Sequence, residues 1–294
     1  MSKRREQTIG AGAQVVTEVS INFGSSLAGL AIPLVGSPVV VAARQLVMIA
    51  VLLPFYRPKL AHLAWGRIWP ALMLGVTLAV MNLSFYEAVN ILGLGVAATI
   101  EFLGPLAIAL LGSRRLLDVV CALAAAGGVV LLTWSDTELS VIGIALALVA
   151  AAAWAAYILL TRRVGTDFAG LEGISIAGVV SLAIVLPFAL ITLDLSALNW
   201  GVIGLLAAIG VLSSAFPYSL DTFILRRIPA RLYAIITSFG PVIAALFGVL
   251  VLGESFTLLQ QIAIVVVCAA AGAAIATQRD RPKTDLERTA DAVT

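Results

Sequence analysis

Ten long apolar runs separated by short polar breaks make up this chain: residues 11–35, 38–56, 69–89, 94–112, 116–134, 141–161, 173–193, 201–225, 232–252 and 258–277. Each is close to the roughly 20 residues that a helix needs to cross a bilayer core. All ten are expected as helices, because an open strand in lipid leaves backbone groups without partners. Lysine and arginine mark alternate connections. They fall at 3–5, at 57, 59 and 67, at 114–115, at 162–163, at 226, 227 and 231, and at 279–288. The connections 36–37, 90–93, 135–140, 194–200 and 253–257 hold none. Seventeen of the 18 basic residues therefore lie on one side, which the positive-inside rule makes cytoplasmic. The expected fold is an all-α integral membrane protein of ten transmembrane helices, with N-terminus and C-terminus cytoplasmic. Trp65, Trp69, Trp134 and Trp200 fall at the expected interfaces, where aromatic belts sit.

The pattern also repeats. Leu53-Pro54-Phe55 in the second run recurs as Leu186-Pro187-Phe188 in the seventh, and Ala98 through Gly104-Pro105 in the fourth is echoed by Ala234 through Gly240-Pro241 in the ninth. The offsets are 133 and 136 residues, so the halves correspond run for run. Equivalent runs are an odd number of spans apart, which sets the halves in opposite orientations. The chain thus divides into a cytoplasmic N-terminal segment (1–10), a five-helix repeat (11–134), an inverted second repeat (141–277) and a disordered cytoplasmic tail (278–294). Such repeats place substrate sites near the bilayer midplane, at the repeat interface.

Composition narrows the function classes. Hydrophobic residues are 61% and charged residues 12%, against roughly 25% charged in soluble domains, and mean hydropathy is +1.09. That excludes a water-soluble globule. A net charge of +2 gives no case for nucleic acid. None of the three lysines follows a glycine, so no P-loop is present to bind ATP. One histidine (His62) and two cysteines (Cys121 and Cys268) do not make a multi-ligand metal site, and no cofactor is expected. An intramembrane enzyme would need a nucleophile–base pair or metal ligands at depth, and the histidine lies in a loop. The segment after Lys3-Arg4-Arg5 is too polar and too long for a signal peptide.

Charge inside a span costs about 2.5–3.5 kcal/mol, so such residues usually face a bundle interior or an aqueous cavity. Five lie beyond the first turn of a run: Glu18, Arg44, Glu87, Glu101 and Asp221. Glu87 and Asp221 lie near span ends, where the interface is within reach. At 1.5 Å per residue, Arg44 and Glu101 both sit roughly 17 Å deep and Glu18 about 10 Å. Arg44 and Glu101 thus share a level. They are expected to form a buried ion pair tying the second span to the fourth, or to contact a zwitterionic ligand, with Glu101 also able to exchange a proton. The first span is the most polar, with Gln14, Thr17, Glu18, Ser20, Asn22, Ser25 and Ser26. It either lines a pathway or bonds to neighbouring helices, packing closely through Gly24, Ala28 and Gly29.

Asn82, Trp154, Tyr157 and Tyr218 are interior, and Asn82 and Tyr218 are repeat equivalents. Rings with a polar handle suit a cavity for a small amphipathic solute. Ser238 beside the ninth-span interruption completes the set. Gly104-Pro105 and Gly240-Pro241 each predict a kink or hinge, since proline removes a backbone donor and glycine loosens the helix. The Ala- and Gly-rich runs 121–128 and 268–274 read as helix-contact faces, within a monomer or across a homodimer.

Ala98-Thr99-Ile100-Glu101-Phe102-Leu103-Gly104-Pro105-Leu106 with Leu111-Gly112-Ser113-Arg114-Arg115 resembles the fourth helix of the EamA-domain branch of the drug/metabolite transporter superfamily. Ala153-Trp154-Ala155-Ala156-Tyr157-Ile158-Leu159 with Arg162-Arg163-Val164-Gly165 resembles its sixth helix. Arg227-Ile228-Pro229-Ala230-Arg231, Ser238-Phe239-Gly240-Pro241 and Leu252-Gly253-Glu254 resemble its ninth-helix region. The first span departs from the family's Trp-Gly opening, and Phe239 stands where a glutamate is common. The resemblance implies a multi-pass transporter of the bacterial inner membrane. It would export small neutral amino acids (threonine/homoserine, methionine or aromatic type) and related metabolites by alternating access. Export of drugs or other metabolites is the alternative within the same superfamily. The implied partners are a small-molecule substrate and the lipid bilayer.

Overall fold

The computed structural model describes residues 3–54, 56, 65–110, 116–134, 140–168, 171–225 and 227–277. Phe55, His62, the Leu111–Arg115 motif and the 278–294 tail lie outside these, as do the side chains of Trp134 and Asp221. Regular structure among the described residues is helical throughout. In chain order the helices are α1 (Lys3–Val35), α2 (Ser37–Leu52), α3 (Trp65–Leu92), α4 (Leu94–Glu101), α5 (Leu103–Leu110), α6 (Leu116–Trp134), α7 (Val141–Asp167) and α8 (Glu172–Thr192). A 3-10 turn (Leu195–Ala197), α9 (Trp200–Gly210), a π turn (Val211–Ala215) and α10 (Phe216–Leu225) follow. The chain then runs through α11 (Ala230–Thr237), α12 (Gly240–Leu252) and α13 (Leu258–Thr277). Among the described residues, seven helices are long and apolar enough to cross a membrane, and three shorter apolar ones cover Ser37–Leu52, Leu94–Leu110 and Leu116–Leu132.

Tight reversals join consecutive helices. α1 passes to α2 through Gly36 alone and α3 to α4 through Gly93 alone, both at φ 83°. A side chain in that conformation would be strained, so glycine permits these one-residue turns.

The expected kinks at Gly104-Pro105 and Gly240-Pro241 are breaks, and each falls just before its proline. α4 ends at Glu101 and α5 begins at Leu103, while α11 ends at Thr237 and α12 begins at Gly240. A helical proline leaves the carbonyl four residues earlier without its donor. Those carbonyls belong to Glu101 and Thr237, the last residues of α4 and α11. Phe102 and Ser238, which close the two helices, have nearly the same backbone, at φ −64°, ψ −13° and φ −64°, ψ −14°.

Packing between helices is reciprocal. α1 lies on α11 and α12, and α7 lies on α4 and α5. α3 meets α7 and α8, while α9 and the π turn meet α1 and α2, with α10 also on α1. α2 packs on α8, and α6 on α13. The small-residue faces serve that last contact within one chain. A Cβ on Gly128 of α6 would stand 2.8 Å from Val267 and 3.2 Å from the Ala263 carbonyl oxygen of α13.

Polarity is arranged inside out. Gln14, Thr17, Glu18, Ser20, Asn22, Ser25 and Ser26 of α1 are all buried, whereas Leu123, Ile191, Leu250 and Val265 are more than half exposed. An outward apolar surface of this extent suits lipid. Trp65 and Trp200, at helix starts, are among the most exposed side chains, as belt residues would be.

Candidate functional site

Arg44 of α2 organises the centre. Its Nη1 donates to Asn82 Oδ1 at 2.9 Å and to the Tyr86 hydroxyl at 2.5 Å, both on α3. Its Nε donates to Ser214 Oγ at 3.2 Å and its Nη2 to the Ser213 carbonyl at 2.9 Å. The guanidinium also lies 5.0 Å from the centre of the Tyr86 ring. One charged group therefore joins α2, α3 and the π turn. That turn explains how a helical carbonyl and an adjacent serine can both face Arg44, because a π turn displaces the backbone from α-helical register. Gly24 of α1 lets the turn approach, since a Cβ there would meet Ser213 at 2.9 Å.

The ion pair between Arg44 and Glu101 expected from their shared depth is not formed. All four acceptors around Arg44 are neutral. Glu101 is instead half-buried as the last residue of α4. Depth matched the two levels, but the direction of each side chain depended on helix rotation, which depth does not report.

Asn82 is fixed on its other side by donating Nδ2–H to the Leu78 carbonyl at 2.8 Å. Trp154 of α7 packs edge-on against Phe102 at the first break, with ring centres 5.8 Å apart. Tyr157 of α7 and Tyr218 of α10 converge on one apolar cluster that includes Met48, Leu74 and Leu78. Ser238 is buried and donates to the Ile235 carbonyl at 2.6 Å, and its hydroxyl faces Gly272 of α13. Gly104 admits α7 so closely that a Cβ would sit 2.1 Å from the Ala151 carbonyl oxygen, whereas one on Gly240 would meet Glu18 Oε2 at 3.6 Å. The structure thus brings Arg44 and Asn82 into direct contact, sets Trp154 beside the first break, and turns Ser238 toward α13.

Tyr86 was missed by the sequence reading. It is fully buried, takes a hydrogen bond from Arg44 and lies 3.3 Å from Ser25 Oγ of α1. The available signal was its spacing: residues four apart share a helix face, and Tyr86 is four after Asn82. Ser213-Ser214, a polar pair within an apolar run, carried a similar signal. Glu87, read as a span-end residue, accepts a hydrogen bond from Ser37 Oγ at 2.6 Å.

Glu254, between α12 and α13, reaches across to α4. Its Oε1 and Oε2 accept from the backbone N–H groups of Leu94 and Gly95 at 2.5 and 3.2 Å. A carboxylate suits the positive end of a helix. Burial nevertheless raises the pKa of this carboxyl, opposed by those two hydrogen bonds.

The described residues form apolar-faced helices, two of them broken, with a buried polar centre, and comparison gives the chain a family. Residues 141–276 match the EamA-like transporter family. The chain is 36% identical over 272 residues to the threonine/homoserine exporter RhtA of Escherichia coli strain K12, covering 92% of both chains. It is 35% identical over 267 residues to the exporter of the same name from Salmonella typhimurium strain LT2, covering 90% of both. This chain belongs to the EamA-like transporter family, within the drug/metabolite transporter superfamily, and is a multi-pass protein of the bacterial inner membrane. One crystal structure shares the fold at a TM-score of 0.58 and 20% identity, covering 97% of this chain and 98% of that one.

Proposed function

We propose that this protein exports small neutral amino acids and related metabolites from the cytoplasm by alternating access. The substrate would be of threonine/homoserine, methionine or aromatic type. The transporting unit is a pair of inverted five-helix repeats, residues 11–134 and 141–277, with ten spans and both termini cytoplasmic. Supporting this are the one-sided basic residues, the reciprocal helix packing and the matched breaks at Phe102 and Ser238. Relatives named for threonine and homoserine export support the substrate class.

The observation that carries the reading is the set of partners around Arg44. A guanidinium held by four neutral acceptors keeps its positive charge available to an anionic ligand. An α-carboxylate is the natural complement, because four of the five N–H donors are engaged and the remaining Nη2 N–H, with the positive charge, can serve a carboxylate oxygen. Glu101 then offers the opposite charge to the substrate's ammonium group. Asn82 holds Arg44 in place, Trp154, Tyr157 and Tyr218 supply apolar walls, and Ser238 supports the second break. Gly104-Pro105 and Gly240-Pro241 act as hinges, where helices already interrupted need break few hydrogen bonds to move.

The test is counterflow. Purified protein in liposomes preloaded with unlabelled threonine should accumulate labelled threonine, with competition by methionine and phenylalanine but little by lysine or glutamate. No accumulation with any of these five, from folded protein, would overturn amino-acid export and direct the search to drugs and other metabolites.

A further inference from the structure

We propose that Ser214 is a specificity-determining residue, its hydroxyl donating to the substrate's carboxylate beside Arg44. This assignment rests on the transport reading above and deepens it: the site takes ligands with a free carboxylate and rejects the corresponding amide or alcohol.

A serine or threonine inside a helix can spend its hydroxyl hydrogen on the backbone about a turn earlier. In this chain Thr99 donates to the Gly95 carbonyl, Ser175 to Leu171, Ser213 to Ile209 and Ser238 to Ile235. Ser214 does not. It lies buried in the π turn, and its Oγ accepts from Arg44 Nε. Its own hydrogen has no acceptor among the described residues. α1 fixes the turn in this position. Ser20 Oγ donates to the Leu212 carbonyl at 2.7 Å, and Gly24 leaves room for Ser213.

The same surplus of hydrogens surrounds the guanidinium. Four of the five N–H groups of Arg44 are engaged, and one on Nη2 remains. Asn82 gives one of its two amide hydrogens to the Leu78 carbonyl. Tyr86 accepts from Arg44 and pairs with Ser25, so whichever of those two hydroxyls donates, the other keeps its hydrogen. Ser214, Asn82, Ser25 and Tyr86 are all more than nine-tenths buried. Buried donors without acceptors are costly, and the arginine's acceptors are all neutral. A carboxylate meets both needs, since it brings acceptors only, about four lone-pair sites, and a negative charge. An amide or an alcohol brings hydrogens of its own and no charge.

The test compares wild type with Ser214→Ala in liposomes. Counterflow of labelled threonine is measured with unlabelled threonine, threoninamide and threoninol as competitors. Absence of counterflow in wild type would overturn the transport reading, and the role of Ser214 with it. Given counterflow, threonine should inhibit wild type at concentrations about tenfold or more below those of threoninamide and threoninol. A site built to bond a polar group rejects analogues that leave it unpaired. Equal inhibition by all three would overturn the assignment and leave transport standing. Ser214→Ala should raise KM for threonine about tenfold, with a much smaller change in maximal rate. It should shrink the preference for threonine over threoninol by a similar factor, because threoninol lacks the group that Ser214 serves. A role confined to packing would weaken all three ligands alike, so an unchanged preference overturns the assignment. Should Ser214→Ala fail to fold, Ser214→Cys decides on the same ratio, a thiol being a weak donor of similar shape. Chloride titrated against methanesulfonate separates the substrate's carboxylate from a free inorganic anion. Inhibition by chloride, with no preference for threonine over threoninol, would give these donors to the inorganic anion and overturn the carboxylate assignment.

Discussion

The two helix breaks share a backbone and differ in their side chains. Both follow from a Gly-Pro pair, both leave the carbonyl four residues before the proline without its donor, and their closing residues differ by one degree in ψ. Around the first stand Glu101, Phe102 and Trp154, with α7 pressed against Gly104. Around the second stand Thr237, Gln14 and Glu18, with more room at Gly240. The difference teaches that symmetry of mechanism and symmetry of chemistry are separate requirements. The proposed alternating access calls for two similar hinges. The groups beside the hinges are free to differ.

The largest effect is expected at the Arg44 centre. Arg44→Ala takes the donor from acceptors on Asn82, Tyr86, Ser213 and Ser214, at a cost of about 1–3 kcal/mol for each one left buried and unsatisfied, and should abolish counterflow. Arg44→Lys keeps the charge but loses the fork, and should raise KM for threonine more than it lowers the maximal rate. Thermal melting in detergent alongside counterflow checks both, and wild-type transport by Arg44→Ala would remove arginine from the substrate site.

Next in size is a contrast between the hinges. Gly104→Ala puts a methyl into the Ala151 backbone and should destabilise by about 1–3 kcal/mol or more, whereas Gly240→Ala makes an ordinary contact and should melt close to wild type. Equal melting temperatures would show that the first break is not clamped by α7 as described.

Glu101→Gln keeps shape and removes charge. Folding should survive, while counterflow falls by about tenfold, the loss of roughly 1.4 kcal/mol of substrate binding. Wild-type counterflow by Glu101→Gln would remove that carboxylate from the substrate site.

The smallest effect concerns Glu254. Its native pKa is raised above the unfolded value, so the folded state holds the proton more tightly. That contribution is fully present below the ordinary carboxylate pKa and is lost as pH rises through the raised value. Melting temperature should therefore decline slightly over that window, and Glu254→Gln should remove this part of the decline. A wild-type melting temperature that rises with pH there, by an amount that Glu254→Gln abolishes, would show the cap acting mainly as a charge.

Much of the fold was legible along the chain because lipid imposes a simple rule. Apolar runs must be helices, and their boundaries were close for Val141, Glu172 and Leu258. The break positions were legible as well, since a proline names the carbonyl it deprives. The burial of the polar α1 face followed from the cost of polar groups in lipid. Tyr86, Ser213 and Ser214 were harder to see, because a tyrosine or serine in an apolar run has many innocent placements.

The sequence by itself thus determined which segments are helical, where two of them break, and that Arg44, Glu18 and Glu101 must be kept from lipid. Only the tertiary structure decided which groups meet: Arg44 with Asn82, Tyr86 and the π turn, and Glu18 with Gln14 and the second break. The reason is geometric. Backbone bonding and burial cost are local properties of a segment, but a side chain's partner depends on the rotation and register of helices far apart in sequence. Arg44 and Ser214 are brought together across 170 residues.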